Sequence, residues 1–218
     1  MITFDADGFT VEPMGQNARA TPYTVSAHML YENSNPLQLY EPGGHLDVTG
    51  ATYTALDDRR VRVTGSTWVP SDAYTVKLEG ARCGGYQCVS LALIREARYV
   101  ENIETWTEAV EQNCRQKAQE RIEGDFTLEL RIIGLNATLG AQDMNAQIGT
   151  EVGVLGIVTA PSEMVAKEVA KTLNPYLLHM PLTDDEEMPT FAFPFSPNEM
   201  NRGEIYEFCL NHVMELDD

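Results

Sequence analysis

The sequence is short of positive charge. Its 218 residues contain 15 lysines and arginines against 33 aspartates and glutamates, which gives a formal net charge of −18 at pH 7. A surface that binds nucleic acid or anionic lipid needs clustered positive charge, so this balance argues against both kinds of partner. The simplest interpretation is an acidic surface that keeps the protein in solution.

Long apolar runs are also missing. No stretch approaches the roughly 20 apolar residues that a membrane-spanning helix needs. The first residues, MITFDADGF, show neither the basic segment nor the apolar core of a signal peptide. We therefore expect a cytoplasmic protein without a membrane partner.

Cysteines are few and no pair has the Cys-X-X-Cys spacing. The four are Cys83, Cys88, Cys114 and Cys209, and their apolar or helical surroundings predict reduced, mostly buried thiols. Nucleotide-binding glycine motifs, a Gly-X-Ser-X-Gly elbow and a His-Glu-X-X-His motif are absent as well. The sequence thus predicts no metal centre and no cofactor.

Residues 1–80 form a mixed segment of short elements. Thr21 supplies a hydroxyl for a helix N-cap and Pro22 suits the first helical position. Turn-forming residues divide the remainder of the segment into short strands. The predicted elements are a hairpin over 2–4 and 9–11, a helix from Thr21-Pro22 to about Tyr31 or Glu32, a hairpin over 51–56 and 59–64 with solvated charges at Asp57-Asp58-Arg59-Arg60, and a strand from Tyr74 to Leu78 that ends at Glu79-Gly80.

Residues 81–218 show stronger periodicity, and their elements follow the order strand, helix, strand, strand, helix, strand. That order is the signature of a split-βαβ, ferredoxin-like α+β domain. Alternation of apolar and polar residues favours a strand for the last element and places His212 on its apolar, core-facing side. The predicted elements are a strand over 88–94, a helix over 99–123, strands over 126–132 and 152–159, a helix capped by Ser162, and a strand over 206–214.

Two connections are long, 134–150 and 180–203. Structureless connections of more than about 15 residues are usually functional, interfacial or disordered. Phe191, Phe193 and Phe195 interleave with prolines in the second connection. We expect that segment to pack on its own domain or on a partner.

The residues before the first helix are the most suggestive binding site. Asn17, Arg19 and Thr21 place a carboxamide, a guanidinium and a hydroxyl beside a helix N-terminus, where free N–H groups favour an anion. A substrate carboxylate or phosphate could dock there, with Arg19 as a bidentate clamp. The alternative is that Thr21 only caps its helix and Arg19 pairs with a surface carboxylate.

Lys77 and Glu79 are the acid–base candidates. Alternate side chains of a strand point the same way, so the two share a face, and a desolvated lysine there could transfer protons. The alternative is an exposed ion pair. Arg95, which closes the next strand, is a further candidate for holding a substrate anion. His28 and Glu32, four residues apart on one helix, offer only a weak metal-site pattern.

Several segments resemble the C-terminal half of the acyclic terpene utilisation A (AtuA-like) family. They are TPYTVSAHMLYE, EPGGHLDVTGATY, RRVRVTGS, YTVKLEGAR, GYQCVSLALIRE, FAFPFSPNE and GEIYEFCLNHVM. The resemblance implies a place in the breakdown of branched acids through coenzyme A thioesters. It also implies a separate partner chain that supplies a glycine-rich α/β N-terminal half, with a higher oligomer as a further expectation.

Taken together, these patterns predict a small subunit of a heteromeric hydratase or lyase of organic-acid or acyl-CoA catabolism. Its substrate would be a small carboxylate or an acyl-CoA. The alternative is a non-catalytic accessory or scaffold subunit of such a complex, which would use the 180–203 connection and the sheet for assembly.

Overall fold

The computed structural model describes residues 1–29, 35–144 and 147–216. The chain divides into two compact units, one formed by Met1–Gly80 with the chain from Cys209 onwards and the other by Ala81–Phe208. Helices and antiparallel sheets make up both parts of the chain, which confirms the α+β class. No helix among the described residues has the length and apolar character needed to cross a membrane.

The first unit contains two small antiparallel sheets, with strand orders β1-β2-β6-β5 and β3-β4-β7. Its elements are β1 (Ile2–Asp5), β2 (Gly8–Val11), α1 (Pro22–Met29), β3 (Gln38–Glu41), β4 (Gly44–Asp47), β5 (Thr52–Ala55), β6 (Val61–Thr64) and β7 (Thr67–Pro70). Both predicted hairpins are confirmed, since β1 pairs with β2 and β5 with β6. The predicted end of the first helix near Tyr31 or Glu32 lies outside the described residues.

A small apolar core holds the first of these sheets against α1. Val61 and Val63 on alternate positions of β6 are buried, together with Val25 of α1 and Ala20 just before it. The alternation of β6 explains this arrangement, because Arg62 and Thr64 point to the opposite, more exposed face.

The second unit has the strand order β11-β8-β10-β9. Its elements are β8 (Thr75–Ile94), α2 (Ala97–Glu101), α3 (Ile103–Arg121), β9 (Thr127–Ile133), a 3₁₀ turn (Gly140–Gln142), β10 (Val152–Ala160), α4 (Glu163–His179) and β11 (Met200–Glu215). In chain order the strands of the sheet stand fourth, first, third, second, which is the ferredoxin-like arrangement that the sequence predicted. Thr75–Gly80 of β8 and Cys209–Glu215 of β11 belong to the first unit.

Three details of the prediction were wrong. The strand predicted to end at Glu79-Gly80 continues to Ile94, so that β8 has 20 residues in all; a glycine inside it allows close approach, since a Cβ at Gly85 would lie 2.6 Å from the Ala160 carbonyl oxygen. The helix predicted over 99–123 is divided at Asn102, whose ψ of 22° interrupts the helical backbone. Strands β3, β4 and β7 were missed, since four-residue strands carry too little periodicity to recognise.

The apolar residues that recur at helical spacing in α3 and α4 are buried in the core of the second unit. Ser162 caps α4 by accepting a hydrogen bond from the Val165 amide at 3.3 Å, as predicted. The core of the unit is lined from α3 by Ile103, Trp106, Val110, Cys114 and Ala118, and from α4 by Val165, Val169 and Leu173.

The 180–203 connection packs on its own unit, one of the two predicted outcomes. Phe191 is buried and its ring meets the rings of Tyr99 and Trp106 edge-on, with centroids 4.8 and 5.4 Å away. Ala192 exchanges two backbone hydrogen bonds with Leu93, at 2.8 and 3.3 Å. Phe191 therefore belongs to the core of the second unit, and Phe193 packs against that core.

The last element is a strand, as predicted, but its apolar side is not in the core. His212 is exposed, and so are Tyr206 and Phe208, at 65% and 66% of their side-chain surface. The prediction of mostly buried thiols is also half wrong, because Cys83 and Cys209 are exposed. Cys114 is buried in the core, which raises the pKa of its thiol to about 12.

Phe191→Ala should destabilise the second unit by about 3–5 kcal/mol, because it removes a buried ring from a three-ring cluster. Urea unfolding followed by tryptophan fluorescence measures the change, since Trp106 lies in that cluster. Met188→Ala is the matched control in the same connection, where the side chain is 74% exposed. Equal stability of the two variants would contradict the role of Phe191 in the core.

Candidate functional site

The candidate site of the first unit is built on the turn between β3 and β4. Its sequence, Glu41-Pro42-Gly43-Gly44, suits a tight turn, with Gly43 at a φ of 81°. Gly44 must be glycine, because a Cβ there would collide with the Val69 carbonyl and the Trp68 ring. The Gly43 amide donates to the hydroxyl of buried Thr75 at 2.7 Å, which fixes the turn to the start of β8.

This anchoring places Glu41 beside Lys77, two positions beyond Thr75 on β8. The Lys77 Nζ lies 2.9 Å from the Glu41 Oε1 and 3.3 Å from the Glu79 Oε1. The lysine side chain is 24% exposed, while both carboxylates are about half exposed. Three ionic groups therefore meet in one cluster, which we call the Lys77 cluster (Glu41, Lys77 and Glu79).

The Lys77 cluster keeps its lysine charged. The pKa of Lys77 is raised above the usual lysine value, chiefly by the hydrogen bond to Glu41, while partial burial opposes the shift and Glu79 adds to it. A lysine that acts as a general base at neutral pH needs the opposite shift. Lys77 is consequently a hydrogen-bond donor and a positive charge, not a proton acceptor.

The predicted acid–base pair is thus brought together, but with an extra carboxylate that the sequence did not indicate. Glu41 and Lys77 are 36 residues apart in the chain. The only local signal was the Glu41-Pro42-Gly43-Gly44 run, which is typical of a turn but does not indicate what the turn contacts.

At the predicted anion site before α1, Thr21 and Arg19 already contact other residues of the protein. Thr21 forms a reciprocal cap with Thr24, since its hydroxyl accepts from the Thr24 amide at 3.1 Å and its amide donates to the Thr24 hydroxyl at 2.9 Å. The Arg19 guanidinium lies 3.8 Å from the Asp58 carboxylate, and both side chains are 69% exposed. Asn17 is exposed. These contacts match the alternative that the sequence left open, a capped helix and a surface ion pair.

Arg59 organises this segment, contrary to the prediction of a turn with solvated charges. Its guanidinium donates to the carbonyls of Pro13 and Gly15, both at 3.0 Å, and to that of Gln16. Asp57 holds the turn itself, because one of its oxygens accepts from the Arg59 amide at 2.9 Å. The hydrogen bonds of the Arg59 guanidinium therefore hold the segment before α1 against the β5–β6 turn.

Arg95 lies at the end of β8 in the second unit. Its guanidinium stands 3.8 Å from the Glu151 carboxylate, and the two side chains are 75% and 52% exposed. An exposed pair at this distance contributes little to stability. Arg95 therefore remains available to an anionic ligand.

A metal site is not apparent in the part of the chain that the structure describes. No group of three or more histidine, cysteine, aspartate and glutamate side chains there could hold a metal ion. His28 lies on α1, and its predicted companion Glu32 lies outside the described residues.

The second unit has an open groove with a volume of about 470 Å³ at one end of its sheet. Its lining is mostly apolar and comes from Cys83, Gly84, Gly85, Asp125, Phe126, Thr127, Thr159, Ala160 and Pro161. Nearby strand residues include a Glu204 carboxylate that accepts from the hydroxyls of Tyr86 at 3.0 Å and Tyr206 at 2.6 Å. Sequence reasoning missed this carboxylate and its two tyrosines, since no spacing rule joins β8 to β11.

Arg59→Lys should lower the free energy of unfolding by about 1–3 kcal/mol, because a lysine keeps the charge but cannot donate to three carbonyls in a fork. Urea unfolding monitored by circular dichroism measures this loss. Arg60→Lys is the control, since Arg60 makes an exposed pair with Asp57. An equally small effect of both substitutions would show that the carbonyl contacts do not stabilise the segment.

Comparison with known proteins finds one family model that matches most of the chain. A family model described as acyclic terpene utilisation family protein AtuA matches residues 4–192, a range that includes the Lys77 cluster and every predicted site residue. No curated protein and no solved structure matches the chain. The predicted family is confirmed, and the chain belongs to the AtuA family of acyclic terpene utilisation proteins.

Proposed function

We propose that the chain is a cytoplasmic subunit of a heteromeric enzyme of hydratase or lyase type that acts on organic acids or their coenzyme A thioesters. The family assignment supports this metabolic setting. The observation that carries the proposal is the Lys77 ammonium held between Glu41 and Glu79.

The cluster has the groups that addition or removal of water next to a carbonyl requires. Such a reaction needs a base for one proton and a donor that stabilises negative charge on the carbonyl oxygen. An ammonium group has three N–H donors, and two carboxylates occupy two of them. The third donor of Lys77 can meet a substrate oxygen, while Glu79 is the candidate base and Glu41 holds the ammonium in place.

The arginines are the candidates for holding the anionic part of a substrate. Arg19 is paired with Asp58 at 3.8 Å in an exposed position, so exchanging that partner for a carboxylate or phosphate costs little. Asn17 and Thr21 would add neutral polar contacts beside it. Arg95 is a second candidate on the other unit, with an equally loose partner.

A partner chain is proposed because the Lys77 cluster is open. Both of its carboxylates are about half exposed, whereas charged groups act more strongly where water is excluded. The family resemblance supports a partner of glycine-rich α/β character as the proposed second chain. Its docking would cover the cluster.

A second candidate function is that of a non-catalytic accessory subunit. The specific observation in its favour is that Lys77 forms ion pairs with both carboxylates beside it, as a residue of a structural ion-pair network does. In this case the chain would support the complex without contacting the substrate.

Purification of the tagged chain in its native assembly, followed by hydration of crotonyl-coenzyme A, tests the proposal. Lys77→Met should abolish loss of the enoyl thioester absorbance while the partner is retained. Lys171→Met is the matched control, because Lys171 forms an exposed pair with Glu168 at 2.8 Å on α4. Hydration that survives Lys77→Met with the partner bound would instead favour the accessory role.

The pH profile of this activity should separate a lysine donor from a lysine base. The pKa of Lys77 is raised, so its ammonium and the ion pairs it makes persist below 10.5, the usual lysine value, and are lost only as the pH rises above it. We expect the alkaline limb of kcat to lie above 10.5. A rise of kcat between pH 6 and 8 that disappears in Lys77→Met would show that the neutral amine is the active form.

A further inference from the structure

Trp68 on β7 has a half-exposed indole ring beside the turn that carries Glu41. Of its surface, 48% is open to solvent. One edge of the ring lies against the Gly44 backbone, since a Cβ at that position would come within 2.7 Å of the Trp68 Cζ2. Single exposed apolar side chains are common on protein surfaces, so the neighbours of this ring matter more than its exposure.

The strand register places the indole next to the Lys77 cluster. In the β3-β4-β7 sheet, Glu41 is paired with Gly44, and Gly44 with Pro70, which stands two positions after Trp68 on β7. Paired residues share a face of a sheet, and so do alternate residues of one strand, which puts Glu41, Gly44 and the indole on the same face. Gly44 is therefore a floor without a side chain, with the cluster on the β3 side and the indole on the β7 side.

We propose that Trp68 orients the substrate of the Lys77 cluster by stacking on a planar enoyl group, so that the substrate class is α,β-unsaturated acyl thioesters. This inference rests on the hydration function proposed above. The carbonyl and the adjacent C=C bond of such a thioester are conjugated and coplanar, and a flat indole is a complementary surface for them. The carbonyl oxygen accepts from the Lys77 ammonium while the enoyl plane lies along the indole over Gly44.

An adenine ring could also stack on an indole. The adenine of a coenzyme A thioester, however, lies at the opposite end of the molecule from the thioester carbonyl. The Trp68 ring lies beside the ammonium that binds this carbonyl. The acyl group is therefore the part of the substrate that reaches the indole.

Stacking leaves one face of the enoyl group open to water. Water adds perpendicular to the enoyl plane, and the indole covers one of the two faces, so addition takes place on the other. The water oxygen bonds to Cβ as the C=C π bond breaks, Glu79 accepts the proton that the water loses, and the enolate then takes that proton at Cα. Lys77 stabilises the enolate oxygen as a charged donor. The product is consequently one enantiomer of the 3-hydroxyacyl thioester.

Product stereochemistry in the native assembly tests this orienting role. With crotonyl-coenzyme A, the wild type should form one enantiomer of the 3-hydroxybutyryl product, measured by chiral chromatography after thioester hydrolysis. Trp68→Ala should form both enantiomers and raise KM about two- to twelvefold, the effect of losing one aromatic contact. Trp68→Phe should keep a single enantiomer because it retains a flat ring. Tyr40→Ala is the matched control, since Tyr40 is 50% exposed on the opposite face of the same sheet.

Tryptophan fluorescence tests the contact without depending on the reaction. The chain has two tryptophans, Trp68 and Trp106, and Trp106 is buried in the core of the second unit. Crotonyl-coenzyme A should therefore quench the emission of the wild type but not that of Trp68→Phe, and free coenzyme A should quench neither. This measurement decides whether Trp68 meets the acyl group even in an assembly that does not hydrate it.

The two experiments separate a failure of this inference from a failure of the proposed function. Hydration that survives Lys77→Met, together with quenching of Trp68, would refute the catalytic role of the cluster and keep the acyl contact. Hydration that is lost in Lys77→Met, with a single enantiomer and an unchanged KM in Trp68→Ala, would overturn the role of Trp68 alone. An absence of quenching in the wild type, or equal quenching by free coenzyme A, would overturn it as well.

Discussion

The structure depends on the backbone hydrogen bonds of one 20-residue strand, β8. A strand of that length must satisfy the groups on both of its edges, which β10 does over Tyr86–Ile94 on one side and β11 does on the other. Its first residues anchor the Glu41 turn through Thr75 and carry Lys77, while its last residues lie in the core of the second unit. The candidate site therefore stands on the first residues of a strand whose last residues belong to the larger core.

Because positive charge is scarce in this chain, its lysines and arginines are surrounded by an excess of carboxylates. With 33 carboxylates and 15 cations in the chain, a lysine or arginine is rarely far from a negative group. Lys77 represents the extreme, because two carboxylates raise its pKa and favour the ammonium. Arg59 shows the other outcome, a cation used for backbone carbonyls rather than for an ion pair. In such a chain, the surrounding carboxylates favour a lysine that acts as a charged hydrogen-bond donor over a lysine that acts as a neutral base.

The sequence predicted the elements that bury a periodic stripe and missed those that do not. α4 and its Ser162 cap could be predicted because the apolar spacing and the capping residue are local. β3 and β4 could not, because four residues in an edge hairpin carry little pattern. The pairing of Glu41 with Lys77 depends on a contact across 36 residues, which no local rule supplies. The proximity of Lys77 and Glu79 could be predicted because their spacing on one strand places both side chains on the same face.

β11 shows that an alternating sequence can identify a strand without indicating what covers the apolar side of that strand. Its alternation predicted a strand correctly, yet placing His212 in the core assumed that the apolar side of a strand is covered within the same chain. The helices cover the sheet where β8, β10 and β9 lie side by side, and the apolar side of β11 stays exposed at Tyr206 and Phe208. The alternation therefore identified the strand but did not indicate whether its apolar side is buried.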